Sequence, residues 1–162
     1  MKPIRIGQIG VGHAHASEKM AALRRLPEFY EVVGVAEESE PYPRSREPYE
    51  GIKRLTVDEL LDTPGLQAVA VETNMPELVP TAMRCMQRGL HMHMDKPAGE
   101  TLEPFRQLID GCRERSIAIQ SGYMYRSNPA IGFCFRALRE GWLGDVFQLD
   151  AVMSRFDGDR YR

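Results

Sequence analysis

No apolar run in the 162 residues approaches the ~18 needed for a membrane-spanning helix, so a membrane partner is not expected. The opening stretch MKPIRIGQIGVGHAH carries a short apolar segment broken by glycines. It lacks the longer apolar core and small-residue cleavage site of a signal peptide, and the cytoplasm is the expected compartment. Cysteine is scarce: Cys85, Cys112 and Cys134 are odd in number and share no close spacing. That argues against a disulfide framework or a four-cysteine zinc site and fits buried thiols in a reducing compartment. Charge of one sign is scarce too. The net charge is -2 and no Lys/Arg run stands out, so nucleic acid is not an expected partner. Internal repeats and low-complexity segments are absent.

What remains is ordinary for a soluble globular protein: 43% hydrophobic and 27% charged residues, in about one domain's worth of chain. Residues 4–9 are β-prone and run straight into Gly10-Val11-Gly12. Residues 14–26 place Ala, Met and Leu at helical spacing until Pro27 stops them. Residues 30–36 read as a buried strand and 37–50 as a loop. Thr56-Val57-Asp58-Glu59 has the form of a capping box opening a short helix. Strands are predicted over 66–71, 90–94, 117–121 and 146–153. Helices are predicted over 76–88, 101–115 and 129–140, with a turn at 141–144. Alternating strands and helices, with apolar strands, imply an α/β fold: a Rossmann-type, doubly wound parallel sheet with helices on both faces.

Gly10 and Gly12 occupy the first two positions of the dinucleotide fingerprint. The first makes the tight turn. The second lets the backbone approach a pyrophosphate at the N-terminus of the following helix, where free N–H groups favour an anion. His13 and Ala14 continue that loop, and His15 stands where a small residue is usual. The next strand ends at Glu37, placed to accept hydrogen bonds from the adenosine ribose hydroxyls and to repel a 2′-phosphate. NAD is therefore expected in preference to NADP.

From Thr73-Asn74 through Gly89-Leu90-His91-Met92-His93-Met94-Asp95-Lys96-Pro97, the chain resembles the Gfo/Idh/MocA family, named for glucose-fructose oxidoreductase, inositol dehydrogenase and rhizopine catabolism. Gly122-Tyr123-Met124-Tyr125-Arg126-Ser127-Asn128-Pro129-Ala130 looks like that family's Arg-Phe-Asn-Pro segment. Leu143-Gly144-Asp145-Val146 looks like its Leu-Gly-Glu-Val lead into a second domain. The resemblance implies a dinucleotide-binding domain over 1–122. A connecting helix and the first strand of an incomplete substrate and oligomerisation domain would follow over 123–162. It implies hydride transfer between nicotinamide and a sugar, polyol or related hydroxy compound, homo-oligomerisation of the full-length protein, and no activity for this stretch alone. Lys96 maps to the family lysine that lies beside the nicotinamide and acts on the substrate hydroxyl. Thr73, Asn74, Asp95, Pro97 and Arg126 join the implied cofactor contacts, with Pro97 after a cis peptide bond. Asp95 replaces the family's Glu. Asn74 and Met75 stand where that family has Pro and Asn.

The four histidines form two pairs, His13/His15 and His91/His93, the second on one face of its strand. A four-histidine metal site is imaginable, but the cofactor loop and the family positions account for these residues, and no metal is expected. A non-catalytic dinucleotide-binding or sensor module is the alternative to an enzyme.

Overall fold

The computed structural model describes residues 2–12, 14–38 and 46–154. The chain divides into two compact units, Met1–Tyr123 and Met124–Arg162. In the first unit β1 (Ile4–Ile9), β2 (Tyr30–Ala36), β3 (Arg54–Leu55), β4 (Ala68–Val71), β5 (His91–Met94) and β6 (Ile119–Ser121) form one sheet. Its strand order is β3-β2-β1-β4-β5-β6 and every pairing is parallel. Helices α1 (Ala14–Arg24), α2 (Val57–Leu61), α3 (Met75–Gln87) and α4 (Leu102–Glu114) connect the strands. This is the doubly wound Rossmann arrangement, in which the order reverses between β1 and β4.

The two faces of the sheet are covered differently. Ile9, Val69, Val71, Met92 and Met94 pack with Leu60, Leu78, Val79, Ala82, Cys85, Leu108 and Cys112 in one apolar core under α2, α3 and α4. Burial pushes the Cys85 thiol up to about 12, so it behaves as packing rather than as a nucleophile. On the opposite face, among the described side chains, α1 buries Ala16, Ser17, Met20 and Leu23. The capping box at Thr56 and Glu59 forms as expected: Glu59 N–H donates to Thr56 Oγ1, and Thr56 N–H donates to the Glu59 carboxylate. That hydrogen bonding holds the Glu59 carboxyl below its ordinary value.

Leucines lying on the sheet explain two glycines. Gly7 and Gly34 are register partners on β1 and β2. A Cβ at Gly7 would meet Leu60 Cδ1 at 2.7 Å, whereas one at Gly34 would meet Leu55 Cδ1 at 2.9 Å and the Lys53 carbonyl oxygen at 3.1 Å. The strands present bare backbone so that Leu60 and Leu55 can lie close on the sheet.

Gly10 meets a harder limit. Its φ is 97°, and a Cβ there would lie 2.3 Å from the carbonyl carbon of Glu72. No side chain can move aside, because the obstacle is backbone.

Several sequence-based expectations change. β3 and a 3-10 turn at Glu47–Tyr49 fall in or beside stretches expected to be loop. β3 is only two residues long and exists through its pairing with β2. Residues 146–153 were expected to form a strand, yet they carry no regular structure. A strand is a ladder of hydrogen bonds to a neighbour, and no neighbour pairs with this segment among the described residues. In the second unit α5 (Pro129–Arg139) is capped by Asn128, whose side-chain oxygen accepts from the N–H groups of Ala130 and Ile131.

Leu60→Ala is expected to lower unfolding free energy by about 3 kcal/mol in urea denaturation, since rigid backbone at Gly7 and Gly34 cannot collapse into the cavity. Gly10→Ala is expected to cost more than about 2 kcal/mol by the same measurement.

Candidate active site at the carboxyl ends of the strands

Each central strand hands its last hydrogen bond to the first residue of the loop beside it. Gly10 N–H donates to Ala36 O at 2.9 Å, Glu72 N–H to Ile9 O at 2.7 Å, and Asp95 N–H to Val71 O at 2.9 Å. Gly122 N–H donates to Met94 O at 2.8 Å. These bonds set Gly10, Glu72, Asp95 and Gly122 side by side along the carboxyl edge of the sheet. Ligands of open α/β folds bind at that edge, at the point where strand order reverses.

The glycine loop and the β2 acid meet there. Glu37 Oε2 accepts from Val11 N–H at 2.6 Å, and its Oε1 accepts from Glu38 N–H at 2.9 Å. A cleft beside this contact is lined by Val11, Val35, Ala36, Glu37, Arg54 and Leu55. Gly12 is half-buried, and Ala14 is the first residue of α1. His13 lies outside the described residues.

On the other side of Gly10, Thr73 is buried and its hydroxyl has no hydrogen-bond partner among the described residues. Asn74 is the N-cap residue of α3, but its side chain makes no capping hydrogen bond. Asp95 is buried, and its Oδ2 lies 3.2 Å from Nδ1 of His15 on α1. Lys96 follows at the strand end, half-buried, and its peptide bond to Pro97 is cis. Arg126 belongs to the second unit, in the 3-10 turn Met124–Ser127.

The sequence reading missed a polar seam under α1. The side chain of Gln8 is fully buried, and its Nε2 lies within hydrogen-bond distance of Gly10 O (2.9 Å), Ala16 O (3.1 Å) and Tyr49 Oη (2.9 Å). It ties the glycine loop to the first turns of the helix. Burial raises the Tyr49 hydroxyl above its ordinary value, against hydrogen bonds to Ser17 and Gln8 that lower it. Glu72, His93 and Lys19 continue the seam: His93 Nδ1 lies 3.6 Å from Glu72 Oε1, and His93 Nε2 lies 3.1 Å from Lys19 Nζ. His91 and His93 do share one face, with Met92 and Met94 buried on the other. A polar residue inside an apolar strand beside the glycine turn was the available signal for Gln8. Among the described residues no group of three or more His, Cys, Asp or Glu is placed to hold a metal ion. No helix among them is long and apolar enough to cross a membrane.

Comparison with known proteins agrees with this geometry. Residues 4–123 match the family described as "Oxidoreductase family, NAD-binding Rossmann fold" (GFO_IDH_MocA). The chain is 30% identical over 162 residues to "Uncharacterized oxidoreductase ORF334" of Rhizobium meliloti, covering 98% of this chain and 48% of that protein. Among solved structures it is similar to UDP-N-acetylglucosamine 3-dehydrogenase GnnA from Acidithiobacillus ferrooxidans. That match has a TM-score of 0.69 and 27% identity, over 85% of this chain and 44% of that one. The fold is also that of the WlbA dehydrogenase from Bordetella pertussis in complex with NADH and UDP-GlcNAcA, with a TM-score of 0.76 and 19% identity, over 88% and 44% of the two chains. The chain spans about half the length of the curated relatives it matches. With its strand order, its glycine turn at the reversal point and the match over residues 4–123, the chain belongs to the Gfo/Idh/MocA oxidoreductase family and carries its NAD-binding Rossmann domain.

Proposed function

We propose that this chain is the dinucleotide-binding part of a dehydrogenase that moves a hydride between NAD and a hydroxyl carbon of a sugar, polyol or related compound. The supporting observation is the junction of Gly10 with Glu72 and Thr73, flanked by Glu37 on one side and Asp95-Lys96 on the other. These residues suit a dinucleotide. The Gly10–Gly12 loop and the N-terminus of α1, with His13 and Ala14, would hold the pyrophosphate through backbone N–H groups. Glu37 would take the adenosine ribose hydroxyls, since its carboxylate already lies against the loop. Thr73 and Asn74 would serve the nicotinamide side. Thr73 brings a buried hydroxyl without a partner among the described residues, and Asn74 a side chain not used for capping. Asp95 and Pro97 complete the proposed contacts.

When bound, nicotinamide supplies the hydride acceptor or donor. The chain's own contribution to the chemistry is Lys96. An ammonium at the carboxyl end of β5 can donate a hydrogen bond to the substrate hydroxyl and stabilise the oxygen as its proton leaves. The dehydrogenase GnnA, named for UDP-N-acetylglucosamine, supports a sugar-type substrate. No residue of this chain is proposed to enclose the substrate or to complete an acid-base pair with Lys96. The 162-residue chain alone would therefore bind cofactor without turnover, and the full-length protein would be a homo-oligomer.

Both charges in the adenosine cleft bear on cofactor choice. Glu37 would repel a 2′-phosphate, whereas Arg54 lines the same cleft. Glu37 contacts the loop backbone directly, which favours NAD. Calorimetric titration of this chain is expected to show NAD bound about tenfold more tightly than NADP. Glu37→Ala should erase most of that preference by weakening NAD about fivefold or more, the cost of charge-assisted hydrogen bonds. No binding of either dinucleotide would overturn the proposal. Lys96→Met should change NAD affinity by less than about fivefold, yet lower kcat about 10²–10⁴-fold in a chain long enough to turn over substrate.

A further inference from the structure

Beneath α1, three titratable side chains from three elements stand in line, none of them assigned above to the ligand. Glu72 follows β4 with its side chain fully buried, and neither carboxyl oxygen has a hydrogen-bond partner among the described residues. Its Oε1 lies 3.6 Å from His93 Nδ1, and His93 Nε2 lies 3.1 Å from Lys19 Nζ. An ammonium has three donors and no acceptor, so Nε2 of His93 must accept from Lys19. The proton of the neutral ring then sits on Nδ1, on the side facing Glu72. Lys19, the His93 ring and the Glu72 carboxyl group follow one another, so an ammonium at one end can offset a carboxylate at the other. Without that offset a buried carboxylate is strongly unfavourable.

The position of the line matters. The Glu72 backbone is the surface against which Gly10 packs, and the buried Glu72 side chain leaves from that same point of the chain. An unbalanced negative charge there would act on an anionic ligand through protein rather than through water, where screening is weak. We propose that Lys19, acting through His93, neutralises Glu72 beside the glycine loop and thereby sets the affinity for dinucleotide phosphates. Lys19 is thus a positioning and charge-balancing residue rather than a ligand contact. This inference rests on the reading of the loop as a dinucleotide site.

A strut and a charge balance predict different patterns. If the line is only a strut, loss of either end weakens NAD binding and loss of both is no better. If it balances charge, the two ends have opposite effects. The test is calorimetry with NAD on the 162-residue chain and on Lys19→Met, Glu72→Gln and the double variant, with ¹⁵N NMR of the His93 ring in the parent. Lys19→Met is expected to weaken NAD about tenfold, and Glu72→Gln to leave it as tight or tighter. The double variant should return to within about threefold of the parent, the non-additivity of a coupled pair. The His93 proton is expected on Nδ1. A double variant as weak as Lys19→Met, or an Nε2–H tautomer in the parent, would overturn the inference. If Lys19→Met does not fold, the double variant decides alone: near-parent affinity supports the balance and a tenfold loss refutes it. If the parent itself does not bind NAD, the reading of the site has failed. The balance is then judged by the tautomer and by whether the second substitution restores the thermal stability lost in Lys19→Met.

Discussion

At Gly10 the chain leaves β1 with a φ of 97° and passes against the backbone of Glu72 and Thr73, so close that a methyl group has no room. Much of the first unit is arranged around that crossing. β1 pairs with β2 on one side and β4 on the other, and the order reverses here, so the connections leave the sheet in opposite directions and open a crevice. The hydrogen bonds from Gly10 to Ala36 and from Glu72 to Ile9 lock the three strand ends in register. A larger residue at position 10 would push β1 and β4 apart and disturb both flanks of the crevice together, at Glu37 and at Asp95-Lys96.

The two faces of the sheet solve different problems. Under α2, α3 and α4 the core is apolar, and helix attachment there comes from burial of Leu, Val and Met side chains. Under α1 the packing is mixed: Met20 lies with Val11, Val35 and Tyr49, Leu23 with Ile6 and Ala70, and a polar seam runs beside them. The Gln8 side chain reaches the carbonyl of Gly10 at the sharp turn and that of Ala16 in the first turn of α1. His15 and Lys19, four residues apart on one side of the helix, reach Asp95 and His93. A helix whose N-terminus must present its backbone to an anion needs a fixed position more than it needs a large apolar footprint. Directional hydrogen bonds give position, whereas apolar packing alone tolerates sliding.

Much of this was legible in the sequence because it is local. The alternation of strands and helices, the capping box at Thr56 and Glu59, the glycine turn, and the acid after β2 are all set by neighbours a few residues apart. β3 was not legible, since Arg54 and Leu55 carry no pattern of their own and become a strand by pairing with Val35 and Ala36. The error at residues 146–153 has the same origin with the opposite sign: the pattern suits a strand, but a strand needs a partner. In the site, the alternation His-Met-His-Met revealed which face His93 occupies, but not what it meets. Its partner Lys19 is 74 residues away in the chain, and Glu72 lies one residue past the strand expected over 66–71. Long-range polar contacts of this kind leave no periodicity behind.

His15 shows how a departure from a fingerprint can be absorbed. Its position ordinarily holds a small residue so that helix and strand can approach closely. Here the close approach is made at Ala16, which is fully buried and whose carbonyl lies 3.1 Å from Gln8 Nε2. His15 is thereby turned sideways, toward β5, where it meets the carboxylate of Asp95. Asp95 is further constrained by Gly122, at which a Cβ would lie 2.9 Å from Asp95 Oδ1. The shorter Asp in place of Glu, the histidine in place of a small residue and the glycine after β6 therefore form a matched set. A longer carboxylate would run into Gly122 or past His15. With Asp95 held in this way, Lys96 is the next residue along the strand end, and the position of its backbone follows from the Asp95 anchor.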